Sequence, residues 1–319
     1  MSEGVASVRR MELTTVQRRT MESLIGTGER PAFPPSLAER LRDRIEEAVR
    51  TLDLAEPLWL GKSNLTDLGR CEGFFDAVLA GERTPFAYNP KTALGKLLHK
   101  SIELEVSSRE ELPSTELATR GVERLREEDS QFTSFWVELD ALRHDELAVH
   151  AAKVIDLFRS SFPPLRPYRR ELAPVPEARL RAELLGGALV LSGQIDLLIG
   201  PGTSDATRAT RLAIDLKSSG RGWPEYPEDM RFYALLMTLR FGVPPYRVAT
   251  VFLESGEWQS EDVNEELLIH AADRVIAAAR SAAALKGGRP PKLTGGRYCE
   301  WCPRGLSCPA STVAPAEAS

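Results

Sequence analysis

Asp196, Asp215 and Lys217 are the residues whose types and spacing point most directly to chemistry. Each carboxylate sits in a short apolar run: Gly-Gln-Ile-Asp-Leu-Leu-Ile-Gly over residues 193–200, and Ala-Ile-Asp-Leu-Lys-Ser-Ser over residues 213–219. Runs of this kind are typical of buried strands. The link between them carries Pro201, Gly202, Ser204 and Asp205, which suit a turn. The pattern predicts two adjacent strands joined as a hairpin. Side chains alternate along a strand, so Asp215 and Lys217 share one face, and Ile214 and Leu216 share the other. Asp196, between Ile195 and Leu197, also points away from its apolar neighbours. Two carboxylates and a lysine then meet on one side of a sheet. Charges are costly to bury unpaired, and a divalent metal would relieve the carboxylate repulsion. Oxygen ligands suit magnesium or manganese. The same residues would also suit a surface hairpin with an ion pair, so the rest of the chain has to decide.

A second set of candidates lies on helical patterns. Residues 91–106 read as a helix with Leu94, Leu98 and Ile102 inward, and Gly95, His99 and Glu103 four apart on the next stripe. By itself, His99 reads as a half-buried histidine bonded to a neighbour. Residues 228–241 read as a helix with Phe232, Leu235, Leu236 and Leu239 in the core, placing Asp229 one turn before Tyr233. His144, His150 and His270 have no neighbours in sequence that complete a site.

The four cysteines form a third set. Cys299, Cys302 and Cys308 are clustered in a Gly/Pro-rich segment, while Cys71 lies more than two hundred residues earlier. Alone, Cys71 reads as a core cysteine, since free cysteine is often buried. In a cytoplasmic protein, clustered cysteines point to metal rather than to disulfides. Structural zinc usually takes two close pairs of ligands, whereas this split is three plus one.

Ile195-Asp196 followed by Asp215-Leu216-Lys217 resembles the active-site core of the PD-(D/E)XK nuclease superfamily, and the leading Gly193 resembles its RecB-like exonuclease branch. Gly-Lys-Leu-Leu-His-Lys-Ser-Ile-Glu over residues 95–103 is similar to the branch's upstream histidine helix. The resemblance implies that Asp196, Asp215, the Leu216 carbonyl and His99 hold Mg2+ or Mn2+, with Asp196, Asp215 and Lys217 catalytic. It implies that Tyr233 and Asp229 position the lysine or the strand, although Asp229 stands where the branch has glutamine. Glu171 is a candidate acidic helper, since the branch often has a glutamate before the hairpin. The cysteine order resembles the [4Fe-4S] iron–sulfur staple of AddB-type and CRISPR-associated nucleases, with Cys71 before the core and Cys299, Cys302 and Cys308 after it. Zinc is the alternative.

The elements that must position these groups follow from the remaining patterning. Ser36 can cap a helix through about residue 52, and Ser63 or Asn64 a helix with Leu68, Cys71, Phe75, Val78 and Leu79 inward. Residues 115–162 read as a helical insertion that Pro163 and Pro164 end. Strands are expected around residues 170–172, over 179–185 and 188–199, and over 247–254, with a last helix over 264–285. The expected fold class is α/β, with a restriction-endonuclease-like core of helix, three strands, helix and strand, and a right-handed crossover to the last strand. Residues 35–309 are expected to form one nuclease domain, with the iron–sulfur segment at 296–309 plus Cys71. Residues 1–34 and 310–319 are expected to be disordered.

Composition bounds the function. With 319 residues, 42% hydrophobic and 27% charged, the chain can bury a large core. No apolar run is long enough to cross a membrane, and the first residues have no secretory apolar stretch, so a cytoplasmic protein is expected. A net charge of −5 argues against tight non-specific DNA binding by the whole surface, although Arg166, Arg169, Arg170, Arg179 and Arg181 cluster locally. It leaves room for a partner that delivers the DNA. The chain lacks a Gly-Lys-Ser/Thr phosphate loop, so unwinding would fall to a helicase or another subunit. The resemblance to the RecB-like branch implies a metal-dependent deoxyribonuclease, an exonuclease on single-stranded DNA ends, acting in DNA repair, recombination or defence. The competing expectation is a non-catalytic subunit that keeps the fold and cluster to bind DNA or a partner.

Overall fold

The longest strand grows from a run of Leu, Val and Ile residues, Leu189–Ile199, and the sheet is built around it. The computed structural model describes residues 12–52, 54, 56–82, 86–219, 222 and 224–313. In chain order the helices and strands are α1 (Thr15–Arg19, continued by a π-helical stretch to Ile25), α2 (Leu37–Val49), β1 (Leu58–Leu60), α3 (Lys62–Arg70), α4 (Glu72–Leu79) and α5 (Pro90–Ser107). The helical insertion follows as α6 (Ser114–Glu128), α7 (Ser130–Glu138) and α8 (Ala141–Ser161). The short α9 (Arg169–Leu172) leads into β2 (Val175–Leu184), β3 (Leu189–Ile199) and β4 (Leu212–Lys217). The chain then runs through α10 (Tyr226–Phe241), β5 (Arg247–Phe252), β6 (Glu257–Asp262) and α11 (Glu265–Lys286).

The three-way pairing of β3 makes a slot in the sheet. β2 runs antiparallel along β3 from Leu189 to Leu198, which fills one side of β3. β1 and β4 share the other side, β1 against Leu189–Leu191 and β4 against Leu197–Ile199. Residues Ser192–Asp196 therefore have no strand partner there. Buried backbone groups need partners, so what fills this gap matters. β4 continues through α10 to the parallel β5, and β6 closes the edge.

The sheet separates two apolar cores. α10 is buried almost all round, from Met230 to Leu239, because it lies between the sheet and the outer helices α2 and α11. The other core joins Leu97, Leu98 and Ile102 of α5 to the insertion and to Ile214 and Leu216 of β4. The insertion is thus part of the core, through Leu117, Phe132 and Ile155.

Several expectations need correction. Residues 170–172 form a helical turn, not a strand. Thr15–Ile25 is helical, and Leu24 and Ile25 are buried, so this stretch of the expected disordered segment is ordered. Residues 1–11 and 314–319 lie outside the described residues. The Ser36 side chain makes no cap bond. Gly61 rather than Ser63 or Asn64 starts α3, while Asn64 accepts from the Gly61 N–H from inside the first turn. His270 does have a partner, Glu228 at 3.0 Å. β1 and β6 were not expected, being a three-residue strand and a strand too polar for an apolar pattern.

Candidate active site and metal centre

Asp196 and Asp215 occupy the point where β3 and β4 stop pairing, just beyond Leu197 and Ile214. The Leu216 N–H donates to Asp196 Oδ2 at 2.6 Å in place of a strand partner. Asp196 Oδ1 faces His99 Nδ1 at 3.4 Å. His99 projects from α5, whose Gly95 lets the helix approach the end of β4: a Cβ there would lie 3.0 Å from Ser218 Oγ.

The third member of this cluster is Glu177 on β2. One ligand atom each from His99, Glu177 and Asp196 lie within 4.8 Å of one another, the one such group among the described residues. Glu177 has a φ of +49° and, with Asp196, interrupts the β2–β3 pairing. Non-glycine residues rarely adopt that conformation. It aims the Glu177 carboxylate at the cluster, where Gln194 donates a hydrogen bond to it. Glu171, the glutamate expected here, is exposed on α9. Sequence reasoning passed over Glu177 because a Pro-Glu-Ala start reads as an edge, not as a strand that twists a carboxylate inward.

Asp215 is held differently from the expected ligand set. It is 3% exposed and bridges two lysines: Lys217 Nζ at 2.6 Å and Lys62 Nζ at 2.7 Å. Burial alone would raise its pKa, but the two ammonium groups outweigh burial and hold it below the usual carboxylate range. Lys62 reaches Asp215 because α3 starts directly after β1, in the slot beside Ser192–Asp196. Burial disfavours its charge, but Asp215 reverses that and raises its pKa. No motif pointed to Lys62, since its role depends on a strand of three residues. Leu216 meets Asp196 through its N–H, whereas the expectation used its carbonyl.

Tyr233 and Asp229 of α10 form the floor of the slot. The Tyr233 hydroxyl donates to the Gln194 carbonyl at 2.6 Å, and Lys62 Nζ lies 5.0 Å from its ring centre. Burial pushes the phenol up to about 12. Gly193 makes room for this ring, since a Cβ there would lie 2.7 Å from Tyr233 Cε1. Asp229 accepts from Thr66 Oγ1 at 2.9 Å, and burial raises its pKa against the pull of Lys62 and Lys217.

The metal-type cluster is electrostatically tense. Burial opposes the charge on His99, but Asp196, Asp215 and Glu177 outweigh it and raise its pKa. The Glu177 carboxyl is pushed up by burial and by Asp196. A divalent cation is the partner that would neutralise both carboxylates at once, which makes the group a possible metal site.

The four cysteines lie near one another by the junction of α3 and α4, where Cys71 ends the first helix and starts the second. Cys71 and Cys299 are buried, and Cys302 and Cys308 are half-buried. The Cys302 thiol is pushed up first by burial and then by its neighbours Cys71, Cys299 and Cys308. Main-chain N–H groups of Thr294 and Gly296 point at the sulfurs of Cys71 and Cys299, each at 3.4 Å. Around them, Arg289 clamps Glu72 at 2.9 Å and Arg304 reaches Asp76 at 2.6 Å. His144 belongs to neither site: its ring stacks on Trp136 with centroids 4.4 Å apart.

No helix among the described residues is long and apolar enough to cross a membrane. A family model described as PD-(D/E)XK nuclease superfamily matches residues 61–309. No curated protein matches the chain. Among solved structures, the chain is similar to a protein of Eubacterium rectale provisionally named an exonuclease. The two share 13% identity, with 74% of this chain and 84% of that one covered and a TM-score of 0.44. It is also similar to SSO0001, at 16% identity, with 67% of this chain and 95% of that one covered and a TM-score of 0.28.

Proposed function

This chain belongs to the PD-(D/E)XK nuclease superfamily, and on that premise we propose that it is a metal-dependent deoxyribonuclease. The observation that carries the reading is the convergence of His99, Glu177 and Asp196 beside an Asp215 gripped by Lys62 and Lys217. The narrower reading, an exonuclease on single-stranded DNA ends in repair, recombination or defence, rests on the resemblance to the RecB-like branch.

His99, Asp196 and Glu177 would hold Mg2+ or Mn2+, with Asp215 and the Leu216 carbonyl as the further ligands that the resemblance implies. When bound, the cation supplies a more acidic water and polarises the scissile phosphate. Asp196 keeps one oxygen on the Leu216 N–H, which fixes the other toward His99. Lys217, oriented by Asp215, places a positive charge where the phosphorane oxygens gain negative charge. Tyr233 supports β3 under the slot through the Gln194 carbonyl, and Asp229 sets the field around both lysines. The test is cleavage of end-labelled single-stranded DNA with manganese by wild type and Lys217→Ala. Cleavage that the variant loses supports the reading. An inert wild type that still binds DNA favours the non-catalytic subunit.

Lys62 joins this set as a second cation on Asp215. Lys62→Ala is expected to lower kcat about 10²-fold, the usual cost of one charge-stabilising group. Lys217 still pairs with Asp215 in that variant, so the fold should survive. Lys62→Arg should restore part of the rate, and steady-state kinetics on one labelled strand would decide.

Metal affinity should depend on pH. A ligand histidine must be neutral and a ligand glutamate ionised. Both His99 and Glu177 have raised pKa values, so each holds its proton to higher pH than usual. Manganese binding is therefore expected to strengthen as pH rises through both titrations, each displaced above the ordinary range of its side chain. Calorimetric titration at several pH values would show this, and an unchanging affinity would remove His99 and Glu177 from the ligand set.

We also propose that Cys71, Cys299, Cys302 and Cys308 hold a structural [4Fe-4S] cluster. One feature of the site supports a thiolate-bound metal there, and the choice of an iron–sulfur cluster rests on the resemblance in cysteine order. Burial works against the Cys299 thiolate, but main-chain donors from Thr312 and Gly296 lower its pKa. Iron and sulfide analysis of protein purified without oxygen distinguishes the cluster from zinc.

A further inference from the structure

We propose that the sheet face leading away from the candidate metal centre is a binding track for single-stranded DNA. Trp59 and Arg181 form its stacking platform and Arg179 is its phosphate contact. The proposal rests on the nuclease reading for the choice of DNA, and on the following geometry for the track.

Along β2, Arg179 and Arg181 are exposed while Leu180, Ala182 and Leu184 between and beyond them are buried. The same strand carries Glu177 two residues before Arg179. A two-residue step advances about 6.6 Å, so positive charge continues for about 13 Å from the centre. Arg179 lies opposite Gln194 and Arg181 opposite Ser192 on β3. Gln194 also bonds the Glu177 carboxylate, so the track joins the centre without a break.

On the other side of β3, Trp59 of β1 is 49% exposed between the buried Leu58 and Leu60. The Arg181 guanidinium sits 4.6 Å from its ring centre. A flat cation on a flat ring is a surface on which an unpaired base stacks, whatever its identity. A duplex hides those base faces, so the platform selects single strands. Charge agrees. A groove along the free edge of β2 is lined by Arg42, Arg179, Arg181 and Arg240, on a chain of net charge −5. Two carboxylates offset part of it: Glu183 at 2.8 Å from Arg181 and Glu46 at 3.5 Å from Arg42. Arg179 has no ion-pair partner among the described residues, which leaves its charge for a phosphate.

The test is fluorescence anisotropy with labelled oligothymidine in EDTA, where binding is read without cleavage. Trp59→Ala is expected to weaken binding about 10- to 100-fold, the range for one stacked base, and Trp59→Phe to recover most of it. Arg179→Gln should reduce the slope of log affinity against log salt by about one contact. Circular dichroism confirms that each variant is folded. Unchanged affinity in Trp59→Ala and Arg179→Gln overturns the track, even if wild type cleaves DNA. A wild type that prefers the duplex, or an RNA strand of the same length, overturns the occupant. A wild type that cleaves nothing while Trp59→Ala still loses strand binding leaves the track standing and removes the nuclease reading.

Discussion

Asp196→Asn is expected to abolish cleavage, by about 10³-fold or more, while leaving the fold intact. Asp196 is the residue through which the metal-type cluster is tied to β4: one oxygen takes the Leu216 N–H at 2.6 Å and the other faces His99 Nδ1 at 3.4 Å. An asparagine has the same shape. Its amide oxygen can keep the Leu216 bond, and its NH2 can face a neutral His99. The charge is what disappears, and with it the strongest attraction for a divalent cation. The expected result is a folded protein with weak manganese binding and no cleavage, read by calorimetry and a gel assay. Full cleavage by Asp196→Asn would remove this carboxylate from the chemistry. Asp215→Asn is a poorer probe. It would leave Lys62 and Lys217 side by side without their shared anion, and breaking a buried pair in this way costs about 3–5 kcal/mol. Lost activity in that variant could then reflect lost structure.

The second large effect is expected from Cys71→Ala. As a plain buried cysteine, Cys71 would cost on the order of 1 kcal/mol to truncate. As a cluster ligand it closes a loop of more than two hundred residues onto Cys299. A crosslink of that length removes chain entropy worth about 5 kcal/mol, on the disulfide model applied to a cluster. The ion pairs that also hold the C-terminal segment, Arg289 with Glu72 and Arg304 with Asp76, are part-exposed and worth about 0–1 kcal/mol each. They cannot replace it. The expected outcome is a colourless variant whose Tm falls on the order of 10 °C relative to anaerobically purified, brown wild type. A small Tm change with the colour retained would return Cys71 to the core. Manganese-dependent activity should fall with the same variant, because α3, which begins with Lys62, ends at Cys71.

Local pattern was enough to read much of this chain. The hairpin of β3 and β4, the crossover through α10 to β5, and the helices α5 and α11 all follow from runs whose period matches their structure. Asp196, Asp215 and Lys217 stood out as charges inside apolar runs, whereas His99 became a candidate only through the resemblance to the RecB-like histidine helix. Glu177 and Lys62 were not legible. Glu177 faces the cluster only because β2 twists at a positive φ beside Asp196. Lys62 meets Asp215 only because β1 and β4 share one side of β3 and leave a gap between them. Sequence spacing determines which side chains share a strand or helix face. It does not determine which strand lies beside which, and here that choice brings residues 153 positions apart to within 2.7 Å.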